Sequence, residues 1–193
     1  RSTAEYCWTL TPIAPKIVFK QNDQIKRVTY LDADMFFVNK LDEIFYEFED
    51  SKKSILITEH DFDEDHAYKE KISGKYIVQF IIFQRNKSEM VRKWWEAKCI
   101  EKCSSDQINT MVGDQAYLND WQSRFKDDVH ILQNNDVFRS TWSSKKLKLT
   151  KLIAWHFHGL RIINKNLVLM HTEKYISNNI ISEVYRPYLK NLE

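Results

Sequence analysis

At 193 residues the chain has the length of one domain, 1–193, enough to bury a substantial core. A net charge of +2, with Lys and Arg dispersed along the sequence, excludes a strongly basic nucleic-acid-binding class, and no basic amphipathic helix marks a membrane surface. No apolar run approaches the roughly 18–20 residues of a membrane span.

Nothing resembles a signal peptide, although the chain begins at Arg1 rather than Met, so the expected setting is cytoplasmic or peripheral to a membrane. Cys7, Cys99 and Cys103 are an odd number without metal-ligand spacing, which predicts free buried thiols in a reducing compartment. Six Trp, nine Tyr and eleven Phe against three Gly predict a well-filled interior and a stacking surface for a ring-shaped ligand.

In chain order, Thr11-Pro12 caps a helix over 12–20, and a polar turn, 21–26, leads to a strand at 28–31. That strand runs into Asp32-Ala33-Asp34 and continues apolar through Met35-Phe36-Phe37. Leu41, Ile44, Phe45 and Phe48 recur at helical spacing, and 55–58 reads as a short buried strand. A charged loop, 61–73, precedes a strongly apolar strand at 76–83. Asn86 and Glu89 form a capping-box pattern opening a helix through Cys103, with Met90, Val91, Trp94 and Trp95 inward. A loop, 104–112, is followed by a helix from Gly113 to about Trp121, strands at 129–132, 153–157 and 167–170, and a polar, partly helical tail from Thr172. Strands alternating with helices predict an α/β layered domain.

Three groups carry chemistry. Asp32 and Asp34 lie two apart on extended backbone and point to one side. Apolar neighbours make such acids costly unless a cation or hydrogen bonds accept them, and a divalent ion held by one or two carboxylates fits. A turn or helix cap is the structural alternative. Asp61, Asp63 and Asp65 also match Asp-x-Asp, but the sixth loop position is His66 and the twelfth Ile72, so a calcium loop fails and solvated charge is expected. His156 and His158 sit at period two on an apolar strand before Gly159; imidazole with two carboxylates suits Mn²⁺ better than Ca²⁺. In Gly113-Asp114-Gln115 an acid stands near a helix start, which the helix dipole alone would explain.

The order Tyr-Leu-Asp-Ala-Asp, Gly-Asp-Gln, His-Phe-x-Gly, over about Glu5 to Gly159, resembles GT-A type glycosyltransferases, nearest the retaining glycogenin and bacterial galactosyltransferase group. Glu5–Pro12 and Arg92-Lys93-Trp94-Trp95 also resemble bacterial glycosyltransferase-like sequences. The resemblance implies a GT-A-like mixed sheet with flanking helices, a transferase core over 1–160 and a tail over 161–193. It implies Asp32, Asp34 and His156 as ligands of Mn²⁺ or Mg²⁺, with Ala33, His158 and Gly159 beside the diphosphate of a nucleotide-sugar donor of the UDP-sugar type. Asp114 and Gln115 fall beside the reacting carbon, and a sugar or glycan is the acceptor. Where that group carries an Asn-Ala-Gly turn, this chain reads Tyr76-Ile77-Val78-Gln79-Phe80, so no donor-sugar contact transfers. The short stretch before Asp32 implies the C-terminal two-thirds of such an enzyme, without its N-terminal βαβ portion.

Trp121, Trp142 and Trp155 are candidates for stacking on the acceptor, with core packing as the alternative. Two other functions remain. A haloacid-dehalogenase-type phosphohydrolase also places Asp-x-Asp after an apolar strand, but Phe36 replaces its small residue and the histidines go unused. A non-catalytic sugar-binding or scaffold domain would keep the fold without turnover.

Overall fold

A computed structural model describes residues 1–106, 112–165, 167–170 and 176–192. Of the expected loop at 104–112, residues 107–111 lie outside this range, as do 172–175 of the expected tail. The order is α1 (Thr3–Leu10), α2 (Ala14–Gln21), β1 (Arg27–Leu31), β2 (Met35–Phe37), α3 (Asp42–Ser51), β3 (Ile55–Glu59), α4 (Glu70–Ser73), β4 (Tyr76–Gln84) and α5 (Glu89–Glu101). Then follow α6 (Trp121–Arg124), β5 (Val129–Ile131), β6 (Phe138–Ser140), β7 (Ala154–His156), β8 (Arg161–Asn164) and β9 (Leu167–Leu169). A helical stretch over Asn178–Lys190 includes one π-helical turn, Ile181–Tyr185.

Four strands form a mixed sheet in the order β1-β4-β3-β5, with β4 antiparallel to β1 and β3, and β5 parallel to β3. β4 is buried from Tyr76 to Phe83, as a strand covered on both faces requires. Tyr76, Val78, Ile81 and Phe83 pack with Trp95 and Trp121, whereas Phe80 and Ile82 pack with Ile44, Phe48 and Phe138. The alternation therefore slips by one between Val78 and Ile81, matching a register shift against β3. A second sheet, β2-β7-β6, has β2 antiparallel and β6 parallel to β7. The C-terminal helical stretch covers it, packing Val184 and Tyr185 against Trp155 and Phe157. Among the described residues no helix is long and apolar enough to cross a membrane.

Several expectations are corrected. Helix α1 was not foreseen; its signal is the Ser2–Glu5 capping box, with both reciprocal bonds formed. Consequently Thr11 ends α1, and it is Pro15 that occupies the first turn of α2. β1 is only half-buried because it is an edge strand, so Asp32 does not end a buried strand. Residues 64–69 form a 3-10 turn leading into α4 rather than a loop, and the helix expected from Gly113 is a 3-10 turn over Gln115–Asp120 before α6. Asn86 does not cap α5: it takes a positive φ of 63°, and Ser88 stands at the N-cap. Glu89 instead holds Arg92, whose buried guanidinium also contacts Glu96 and the Pro12 carbonyl. Met90 is 60% exposed, whereas Val91 and Trp95 are fully buried. Cys7 is exposed, and Cys99 and Cys103 are buried free thiols.

Candidate metal centre and substrate cavity

The Asp32-Ala33-Asp34 turn is clamped between the two sheets. The Asp32 amide donates to the Gln79 carbonyl at 3.1 Å, extending the β1–β4 ladder, and the Phe157 amide donates to the Asp34 carbonyl at 2.8 Å, extending β2–β7. His156 Nε2 consequently lies 3.0 Å from Asp34 Oδ1 and 3.8 Å from Asp32 Oδ2. One ligand atom from each of the three lies within 4.8 Å of the others. His156 is buried, and its Nδ1 faces Gln79 Oε1 at 3.0 Å. Since an amide oxygen only accepts, Nδ1 carries a hydrogen and Nε2 is the ring nitrogen directed at the carboxylates, donating to Asp34 when the ring is protonated and presenting a lone pair when it is neutral. With the ring neutral, three lone-pair donors converge on one point, an arrangement that a shared cation would relieve. Two carboxylates and an imidazole, with one side open to a cavity, are a donor set that could hold a divalent cation.

That cavity, of about 850 Å³, falls within the range of small-molecule sites. Asp32, Ala33, Asp34, His156, His158 and Gly159 line it, as do Asp114 and Gln115, so the residues expected at the metal, the diphosphate and the reacting carbon all border one space. Gly159 turns the chain there with a φ of 81°. Trp142 donates its indole N–H to the His60 carbonyl at 3.0 Å and sets its ring edge-on to His156 and His158, at 5.3 Å and 5.5 Å between centroids. Of the three tryptophans considered for stacking, Trp142 lines the cavity; Trp121 and Trp155 are fully buried core.

Electrostatics separates the carboxylates. Burial pushes Asp32 above the usual aspartate range, partly offset by the His156 charge and by a hydrogen bond from the Tyr30 hydroxyl at 3.1 Å. At the more open Asp34 burial also raises the carboxyl, but the hydrogen bond and charge of His156 outweigh it and the net shift is downward. Asp114 is 5% exposed; burial raises it to about 7 against hydrogen bonds from Thr11 and backbone amides. Its carbonyl accepts from the Trp95 indole at 2.9 Å, fixing the turn to the core. Burial lowers His60 to about 3, leaving it a neutral wall residue.

The second acidic group is not simply solvated. Asp63 is buried, with its carboxylate 2.5 Å from His66 Nδ1, and Asp61 pairs with Arg139 at 2.8 Å and Lys146 at 2.6 Å. Gln79, Tyr30, Thr11 and His60 were not singled out from the sequence. Tyr30 alone had a readable signal, since it lies two residues before Asp32 on a strand and so shares its face.

No protein-family profile matches the chain. It is 28% identical to Uncharacterized protein YfnF of Bacillus subtilis (strain 168), covering 100% of this chain and 69% of that protein. It is 26% identical to Uncharacterized protein YfnD of the same organism, covering 100% and 66%. The chain thus spans about two thirds of the length of these relatives. Among solved structures it superposes on a glycosyltransferase involved in the glycosylation of the major capsid of PBCV-1, with a TM-score of 0.58, 9% identity, and coverage of 81% of this chain and 72% of that one. Mouse Xyloside xylosyltransferase 1, apo form, gives a TM-score of 0.48 at 14% identity over 78% of this chain and 63% of that one. The first of these likenesses bears on the fold, which is mixed α/β and GT-A-like.

Proposed function

We propose that the chain is the metal-binding and catalytic region, core 1–160 with a tail at 161–193, of a glycosyltransferase. It would move a hexose from a nucleoside-diphospho-sugar, of the UDP-sugar type, to a sugar or glycan hydroxyl. The observation that carries this reading is the convergence of Asp32, Asp34 and His156 Nε2 at the edge of a cavity that Asp114 and Gln115 also line. Asp32, Asp34 and His156 would hold Mn²⁺ or Mg²⁺, which supplies Lewis-acid neutralisation of the leaving diphosphate. Ala33, His158 and Gly159 line the same side and would border the phosphates.

Asp114 and Gln115 would stand beside the anomeric carbon, where positive charge develops as the bond to the leaving group breaks. A buried carboxyl raised to about 7 is poised between its neutral and ionised forms, and developing positive charge favours the ionised one. Trp142 offers a ring face or edge for a pyranose. Retention of anomeric configuration is part of the same reading.

Release of UDP from a UDP-sugar tests it. Mn²⁺-dependent release, abolished by a chelator and by Asp34→Ala, is the expected result. Phosphate release from a simple phosphomonoester with UDP-sugars untouched would favour the phosphohydrolase, and neither activity would favour a scaffold.

A further inference from the structure

Gln79 stands at the slip in β4, where the strand's alternation changes phase between Val78 and Ile81. A bulge of this kind re-aims a side chain that a regular strand would send elsewhere, and bulges concentrate beside functional sites. Gln79 is 4% exposed, and both of its side-chain polar atoms and its carbonyl are engaged. Its Nε2 donates to Thr58 Oγ1 at 3.4 Å on the neighbouring strand β3, its Oε1 faces His156 Nδ1 at 3.0 Å, and its carbonyl accepts from the Asp32 amide at 3.1 Å. One residue thus holds two of the three converging ligands, one through its side chain and one through its backbone.

We propose that Gln79 is the positioning residue of the cation site, fixing His156 in the Nδ1–H tautomer so that the Nε2 lone pair faces Asp32 and Asp34. The amide nitrogen contacts the Thr58 hydroxyl and the amide oxygen faces the imidazole. His156 is further held by Ser140, whose hydroxyl donates to the His156 carbonyl at 2.8 Å, and by the Trp142 edge, but neither contact distinguishes the two ring nitrogens. Gln79 does. An imidazole ligand that donates its second N–H to a fixed acceptor is oriented and made more basic, and loss of such an acceptor weakens metal binding by roughly 10–100-fold. The inference rests on the metal reading above, but its tautomer component is independent of it.

The test has two arms. Long-range ¹H–¹⁵N NMR of the metal-free protein, above the ordinary imidazole titration range, should show His156 as the Nδ1–H tautomer in the wild type and a mixture in Gln79→Leu. Calorimetric titration with MnCl₂ should show roughly 10–100-fold weaker binding for Gln79→Leu. Gln79→Glu keeps an acceptor at the same place and should retain both the tautomer and most of the affinity. A wild-type spectrum showing the Nε2–H tautomer overturns the proposal even if Gln79→Leu fails to fold. So does wild-type Mn²⁺ affinity in a folded Gln79→Leu. Absence of Mn²⁺ binding to the wild type, with the Nδ1–H tautomer present, would sink the metal reading and with it the role in cation binding, while leaving the tautomer assignment intact.

Discussion

The amide of Phe157 donates to the carbonyl of Asp34 at 2.8 Å, one step beyond the register pair Met35↔His156. Segments far apart in the chain are joined there by an ordinary ladder bond, and His156 is delivered beside Asp34 as a result. Because the clamp is backbone, either side chain can be replaced without dissolving the turn that presents it.

Asp34 is half-exposed but contacts buried His156 at 3.0 Å, so Asp34→Ala should cost about 0.5–1.5 kcal/mol, the net worth of one hydrogen bond. Thermal melting with and without MnCl₂ checks this. The metal-free melting temperature of the variant should fall by no more than a few degrees, and the upward shift produced by Mn²⁺ in the wild type should vanish in the variant.

Asp114 should leave a signature in the pH dependence of stability. Its folded pKa, about 7, lies above the ordinary 3.8, so between these values the native state binds more protons than the unfolded chain. Stability from this group is therefore present at low pH, falls as pH rises from about 4 to about 7, and is level above that. The full amplitude is on the order of 4 kcal/mol. Urea unfolding of metal-free protein at a series of pH values, wild type minus Asp114→Asn, isolates the effect. A difference that is constant over this window would show that Asp114 titrates normally.

The orientation of α5 gives a packing test. Trp95 is fully buried against Trp121 and Phe83, so Trp95→Ala should cost about 3–5 kcal/mol. Met90 faces solvent, and Met90→Ala should stay within about 0.5 kcal/mol. Chemical denaturation of the two variants distinguishes this arrangement from one with Met90 inward.

Gly113 adopts a φ of 73°, and a Cβ there would meet the Trp8 ring at 3.4 Å. Gly113→Ala should destabilise by about 1–2 kcal/mol through the positive φ alone, and should displace the adjoining Asp114. Equilibrium unfolding and the pH profile just described report the two effects separately.

Much of this was legible in the sequence, for identifiable reasons. β3 and β4 follow from unbroken apolar runs, because both of their faces are covered, and α3 from apolar residues at helical spacing, because it buries one face. Asp32, Asp34, His156, His158, Asp114 and Gln115 stood out because polar groups interrupt apolar surroundings, and all of them border one cavity. Trp94 does pack against the core, but Met90 was misjudged because the register of α5 is set by the buried Arg92 ion pairs and the Trp95 cluster, which are tertiary facts. The capping pattern at Asn86 and Glu89 failed because Glu89 has a stronger partner in Arg92. Gln79 was invisible as a functional residue: one amide in an apolar strand reads as a defect until the bulge and its three bonds are seen. Residues 61–65 misled in the opposite direction, since the partners that neutralise Asp61 and bury Asp63 come from residues 66, 139 and 146.

The central claim, that Asp32, Asp34 and His156 together hold a divalent cation, is tested most directly by counting free Mn²⁺ by electron paramagnetic resonance during titration of the protein. The account predicts one tight Mn²⁺ per chain in the wild type, lost in both Asp34→Ala and His156→Ala while their circular dichroism stays unchanged. Equal binding in the wild type and both variants, or no tight binding in the wild type, would contradict it.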